Sequence, residues 1–162
     1  MSTTRLLVGP FNRVEGDLEV RLDVADGRVQ AAHVNATMYR GFEQMLLGKD
    51  PHDALVYVPR ICGICSVSQS VAAARALAQL YHVTPPANGE RVTNLIHAVE
   101  NVADHLSHFY LFFMPDFARA DYQSRPWHAD TLARFQAQRG SAVAPMLEAR
   151  AILMRFMGSL AG

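Results

Sequence analysis

The feature that most constrains the fold is a change in hydrophobic periodicity at Gly41. Before it, Asp17 to Leu22 alternates polar and apolar residues and the pattern continues through Val24, while Val29 to Val34 is a second β-prone run. Asp26-Gly27 lies between the two runs, which predicts a β-hairpin. A short strand at Leu6 to Val8 could join it.

After Gly41 the pattern becomes helical, with proline, glycine and capping residues dividing the segments. We predict helices over Phe42 to Leu47, from Asp50-Pro51 to Pro59, over Ser66 to Tyr81, over Asn88 to about Met114, from Pro126 to about Gln138, and over Ser141 to Leu160. The expected fold is therefore α+β and mostly helical, with a small β region over residues 1–40 and a helical region over 41–162.

Two helix ends carry particular expectations. Pro115 should end the long helix, because proline lacks the backbone N–H that a helix interior needs. The last helix is rich in apolar side chains, such as Ile152 and Phe156, which need a surface to bury against. This predicts either a missing part of the chain or a partner that covers the helix.

The composition excludes several classes of protein. Fifteen basic residues balance fifteen acidic ones, which argues against a nucleic-acid binder. No apolar run reaches the roughly 18 residues of a membrane span, and the first residues lack the apolar segment of a secretory signal. Two closely spaced cysteines are too few for a disulfide scaffold and indicate thiol chemistry in a reducing compartment. We therefore expect a cytoplasmic protein without membrane insertion.

The sharpest motif is Arg60-Ile61-Cys62-Gly63-Ile64-Cys65. Two thiols separated by two residues can bind one metal ion or form one disulfide. The motif precedes a predicted helix, whose N-terminal amides, helped by Arg60, should lower the thiol pKa. A redox dithiol and a pair of structural cysteines remain alternatives, although the βαβ context of thioredoxin-like motifs is absent and no second CxxC completes a zinc site.

Two acidic residues stand in short Arg-containing motifs. Glu15 lies in Arg-Val-Glu-Gly-Asp just before the hairpin, and Glu43 lies in Arg-Gly-Phe-Glu at a helix start. Taken alone, Glu15 is typical of a surface ion pair and Glu43 of compensation of the helix dipole.

In their order and spacing, these three motifs resemble the N-terminal part of the large subunit of nickel–iron hydrogenases. Further matches are Asp50-Pro51, Pro86-Ala87-Asn88, and Asp104 to Tyr110 in the long helix. The resemblance implies reversible heterolytic cleavage of H2. It also implies a small subunit whose iron–sulfur clusters carry the electrons, because two cysteines cannot hold such clusters.

The resemblance also implies roles for individual residues. Cys62 resembles a terminal nickel thiolate, Cys65 a thiolate bridging nickel and iron, Glu15 a proton-relaying glutamate, and Glu43 a ligand of a magnesium ion. The implied cofactors are nickel, iron with CO and cyanide ligands, and magnesium. The family's second CxxC, near the C-terminus of a longer chain, is absent here, so we expect a fragment that would be inactive alone.

Three positions indicate a subtype. Gln69 stands where most members have histidine, and Cys-Ser-Val-Ser-Gln-Ser resembles the regulatory, hydrogen-sensing branch. Ile64 and Phe112 occupy positions that line the family's gas channel, where bulky groups would favour hydrogen over oxygen. The expected function is therefore a hydrogen sensor that signals to a histidine kinase. The alternatives are an energy-conserving uptake hydrogenase and, from another class, a metal-free docking subunit of a redox complex.

The histidines are expected to have structural or surface roles. His97, His105 and His108 should be polar groups that face other helices or a partner subunit rather than metal ligands. The remaining four are predicted to lie on the surface: His33, His52, His82 and His128.

Overall fold

The computed structural model describes residues 4–11 and 16–161. The chain divides into two compact units, Met1–Gly41 and Phe42–Gly162. The described part of the first unit carries the strands, and that of the second carries the helices. The predicted fold class, mostly helical with an N-terminal antiparallel β region, is confirmed.

The first unit contains a three-stranded antiparallel sheet. Its strands are β1 (Thr4–Phe11), β2 (Leu18–Ala25) and β3 (Arg28–Ala36), in that spatial order. In β2, Leu22 pairs with Leu6 on one side and with Ala32 on the other. The predicted short strand therefore exists, and it is longer than the sequence suggested.

The hairpin between β2 and β3 closes through a two-residue turn. Asp26 has φ +52° and Gly27 has φ +70°, so both turn residues lie in the left-handed region. Such a turn matches the right-handed twist of the two strands, and aspartate followed by glycine is its preferred sequence. The predicted hairpin and its turn are confirmed.

The second unit is built from seven α-helices connected by short 3₁₀ turns and one π-helical turn within the described residues. The α-helices are α1 (Phe42–Met45), α2 (Ala54–Tyr57), α3 (Ser66–Leu80), α4 (Ala87–Ser107), α5 (Met114–Phe117), α6 (His128–Phe135) and α7 (Val143–Ala161). The 3₁₀ turns are Pro51–Asp53, Val58–Arg60 and Ala120–Tyr122, and the π-helical turn is His108–Phe113.

Local capping explains where some of these elements begin. The Asp50 carboxylate accepts a hydrogen bond from the His52 N–H at 2.9 Å, and Pro51 follows it directly, as predicted. Helix α3 is Gly-free and Ala-rich, which favours the helical state, and it ends one residue before the predicted end. These starts and ends depend on residues close together in the chain.

The long helix does not end at Pro115, so that expectation was wrong. After α4 the backbone widens into the π-helical turn, where the Met114 N–H donates to the Phe109 carbonyl five residues earlier. The chain then continues as α5, with Pro115 in its first turn. The wider turn relieves the clash between a proline ring and the carbonyl four residues before it, which otherwise breaks an α-helix.

Helix α4 packs against both α3 and α7 and forms the centre of the helical unit. Its Ala103 is buried, as are Met146 of α7, Phe135 of α6 and Val71 of α3. The rings of Phe109 and Phe135 meet edge to face with centroids 6.2 Å apart. Burial of these aliphatic and aromatic side chains holds the unit together.

Several large apolar side chains remain on the surface of the helical unit. In α7, Ile152 is 61% exposed and Phe156 is 42% exposed.

Across the described residues, no helix combines the length and the apolar character that crossing a bilayer requires.

Candidate thiolate metal centre

The two cysteines lie in a short loop between the Val58–Arg60 turn and helix α3. Both are free thiols and both are half-buried. The Cys65 N–H donates to the Cys62 Sγ at 3.3 Å, which folds the loop back on itself. The loop therefore holds the two sulfurs on one short segment, at the spacing that two thiol ligands of one metal ion have.

Gln69 lies one helical turn after Cys65. Its Nε2 donates to the Cys65 Sγ at 3.7 Å, and its backbone N–H donates to the Cys65 carbonyl at 3.1 Å. The side-chain amide therefore contacts the sulfur that the sequence singled out. An amide can donate a hydrogen bond to a thiolate, but it cannot carry a proton as histidine does.

The acidity of Cys65 differs from the expectation. Burial, and after it the hydrogen bond with Cys62, raise the pKa of the Cys65 thiol above its ordinary value. The Gln69 amide acts in the opposite direction, while the negative charges of Cys62 and Glu100 raise the pKa further. The prediction that the helix N-terminus and Arg60 lower this pKa was wrong for Cys65.

The smallest contribution to this raised pKa comes from a residue that the sequence analysis missed. Glu100 of α4 is only 5% exposed. It accepts hydrogen bonds from the N–H groups of Val67 and Ser68 at 2.7 and 2.8 Å, and from the Ser68 hydroxyl at 2.6 Å. These amides belong to the first turn of α3, so the positive end of the helix dipole is directed at Glu100 rather than at Cys65.

His97 extends this group of residues by one more contact. Its Nε2 lies 3.0 Å from the Ser68 hydroxyl oxygen. Because that hydroxyl donates its proton to Glu100, its oxygen accepts from His97 when Nε2 carries the proton. The one available sequence signal was the spacing of His97 and Glu100, which lie three residues apart and therefore on one face of α4.

His105 and His108, which were grouped with His97 in the sequence analysis, are both exposed. His108 stacks on Phe112, with ring centroids 6.3 Å apart. Within the described residues, no three His, Cys, Asp or Glu side chains come together as a metal-binding group.

The remaining candidate residues differ in their element and in their exposure. Glu15 lies outside the described residues. Glu43 is exposed in the first turn of α1, and Arg60 is exposed at the end of its 3₁₀ turn. Ile64 is half-buried between the two cysteines, while Phe112 is 43% exposed in the π-helical turn.

Comparison with known proteins identifies the family. The sequence model described as "Nickel-dependent hydrogenase" matches residues 40–141. The periplasmic [NiFeSe] hydrogenase large subunit of Desulfomicrobium baculatum is 36% identical over 115 residues, which cover 71% of this chain and 22% of that protein. The quinone-reactive Ni/Fe-hydrogenase large chain of Wolinella succinogenes is 38% identical over 109 residues, which cover 67% of this chain and 19% of that protein.

Solved structures agree with this similarity. The Ni-Fe-Se hydrogenase from D. vulgaris Hildenborough in the reduced state has a TM-score of 0.68 and 29% identity, covering 96% of this chain and 34% of that chain. The fold is therefore that of hydrogenase large subunits. The chain belongs to the nickel-dependent hydrogenase family and spans about a fifth of the length of these curated relatives.

Proposed function

We propose that this chain is the N-terminal portion of a nickel–iron hydrogenase large subunit, and that Cys62 and Cys65 supply two thiolates to the metal centre. The observation that carries the proposal is the cysteine loop, with its two free thiols and the N–H···S contact of 3.3 Å, inside the segment that matches the family. Soft thiolates suit nickel and low-valent iron.

The loop fits such a centre. Both thiols are half-buried, so a ligand bound there remains accessible to a small molecule while much of the water is excluded. Once bound, the nickel–iron group would supply the electrophilic site for heterolytic cleavage of H2. The chain itself holds the two sulfurs and donates an amide hydrogen bond to Cys65 through Gln69.

The remaining assignments are parts of the same proposal. Glu15 would relay protons from the thiolates, and Glu43 would be one carboxylate ligand of a magnesium ion, to which hard oxygen donors are suited. CO and cyanide on the iron, and iron–sulfur clusters in a small subunit, would complete the assembly. The exposed apolar side chains of α7 offer a surface that a partner could bury.

Metal analysis tests the thiolate assignment. In the full-length natural protein, Cys62→Ser and Cys65→Ser should each abolish nickel binding, because serine is a poor ligand for a soft metal. Ser70→Ala is the matched control on α3, since the Ser70 hydroxyl bonds the Ser66 carbonyl of its own helix. Nickel retained in either cysteine variant would contradict the assignment.

We further propose that the hydrogenase is a cytoplasmic hydrogen sensor that signals through its small subunit to a histidine kinase. Support comes from the Gln69 amide, which contacts the Cys65 sulfur in place of a group that can carry a proton. The specific alternative is an uptake hydrogenase, which is favoured by a relative from Bradyrhizobium diazoefficiens, "Uptake hydrogenase large subunit", that is 36% identical over 110 residues.

Turnover of H2 oxidation distinguishes these two functions. Gln69→His should raise turnover of the intact complex if the amide keeps a sensor slow, because histidine can transfer protons. Gln79→His places the same substitution on an exposed position of α3 and should leave turnover unchanged. High turnover in the unmodified complex would instead favour uptake.

The gas-channel assignment has its own test. Ile64→Ala together with Phe112→Ala should increase inhibition of the complex by oxygen, because smaller side chains widen a passage. Unchanged oxygen sensitivity would contradict this role.

Finally, a full-length natural protein without nickel would favour the metal-free docking subunit over both hydrogenase functions.

A further inference from the structure

Glu100 is a buried acidic residue directly behind the cysteine loop, and no part of the proposed function uses it. Both of its carboxylate oxygens accept hydrogen bonds, and the three donors belong to Val67 and Ser68 in the first turn of α3. Three donors at the positive end of a 15-residue helix are the surroundings of an ionised carboxylate.

The position of this charge relative to Cys65 follows from the chain geometry. Glu100 lies 2.7 Å from the Val67 amide nitrogen, and Val67 is two residues after Cys65. With consecutive Cα atoms about 3.8 Å apart, the carboxylate is within about 10 Å of Cys65. A buried charge at this distance is screened only weakly by salt.

We propose that Glu100 is a positioning residue for the thiolate centre, because it fixes the first turn of α3 behind Cys65 and places one negative charge there. The inference rests on the proposed function. By occupying the amides that would otherwise stabilise a thiolate, Glu100 leaves the Cys65 sulfur richer in electrons. The sulfur then donates more strongly to the metal centre that it binds.

Infrared spectroscopy of the intact, metal-loaded complex tests this role independently of activity. Electron density on the iron weakens the bonds of its CO and cyanide ligands and lowers their stretching frequencies. Glu100→Gln keeps the size of the side chain and removes the charge, so the bands should move to higher wavenumber. Glu90→Gln is the matched control, because Glu90 is exposed in the first turn of the same helix, and its bands should not move.

A second variant predicts a shift of opposite sign. Ser68→Ala removes the hydroxyl that donates to Glu100 at 2.6 Å, so the charge is less neutralised and the bands should move to lower wavenumber. A disturbance of the fold alone would not give opposite signs for Glu100→Gln and Ser68→Ala. If the Glu100→Gln complex does not assemble, the Ser68→Ala complex alone tests the inference. Bands at lower wavenumber than in the unmodified complex support the role of Glu100, and bands that do not move downward contradict it.

Two results would overturn the inference. The first is unmoved bands in Glu100→Gln with nickel content equal to that of the unmodified protein, and the second is a shift of the same sign in both variants. Either would leave the proposed function intact. An unmodified complex that contains no nickel would overturn the proposed function and this inference together.

Discussion

Glu100 binds Ser68 through two separate donors, the backbone N–H at 2.8 Å and the hydroxyl at 2.6 Å. The two residues are 32 positions apart in the sequence. This pairing joins α4 to the start of α3, the helix that carries the cysteine loop at its N-terminus. The first turn of α3 is therefore capped by a neighbouring helix rather than by a side chain of its own.

The first prediction concerns the stability of this junction. Glu100→Ala should lower the free energy of unfolding by about 1–3 kcal/mol, because the N–H groups of Val67 and Ser68 lose their acceptor. Glu100→Gln should cost less, since its amide oxygen still accepts one hydrogen bond. Urea denaturation measures both variants. An exposed residue on the same helix is the control, so Glu90→Ala should change stability little, and an equal loss there would contradict the role of Glu100.

The second prediction concerns the pH dependence of Cys65 reactivity. The thiolate is the reactive form, and the pKa of this thiol is raised, chiefly by burial. In the metal-free chain, alkylation of Cys65 by iodoacetamide should therefore reach its half-maximal rate at a higher pH than for an ordinary cysteine. Mass spectrometry of the labelled peptide over a pH series gives the midpoint.

Gln69→Leu sharpens this measurement. The Gln69 amide lowers the pKa of Cys65, so its loss should move the midpoint to still higher pH. A midpoint at or below that of an ordinary cysteine in the unmodified chain would contradict the structure around this sulfur.

The third prediction concerns the aromatic core of the helical unit. Phe135 is 8% exposed and contacts the rings of Phe109 and Tyr110. Phe135→Ala should reduce the free energy of unfolding by about 3–5 kcal/mol through lost burial and an internal cavity. Phe135→Leu should cost less, because it fills part of that volume.

Phe156 provides the comparison for that experiment. It is 42% exposed, so Phe156→Ala should cost clearly less than Phe135→Ala in the same chemical denaturation assay. Equal losses in the two variants would contradict the burial of Phe135 in the core of the helical unit.

The fourth prediction uses two glycines with opposite expected signs. Gly27 has φ +70° in the hairpin turn, so Gly27→Ala should destabilise the sheet by about 1 kcal/mol. Gly158 lies inside α7 with nothing within 4 Å of an added Cβ, so Gly158→Ala should stabilise the helical unit by about 0.5–1 kcal/mol. Thermal unfolding measures both. A stabilising Gly27→Ala would contradict the left-handed turn.

The sequence by itself determined the local elements. The Asp26-Gly27 turn, the Asp50 cap, the Ala-rich helix and the spacing of Cys62 and Cys65 all depend on residues within a few positions of each other. Such features follow from backbone propensities and short-range hydrogen bonds, which is why the hairpin and α3 were predicted nearly to the residue. The ordered motifs also sufficed to indicate the family that the comparisons identify.

Only the tertiary structure decided the surroundings of the sulfurs. The contact of Glu100 with the start of α3 depends on how α4 packs against α3, and residues more than thirty positions apart leave no local pattern. The pKa of Cys65 was predicted in the wrong direction because the sequence shows a helix N-terminus but not the burial of the thiol, which is the main cause of the raised pKa, nor the nearby Glu100 carboxylate. The continuation of the helix through Pro115 also differs from the prediction, because a wider turn takes the place of the break that proline alone would predict.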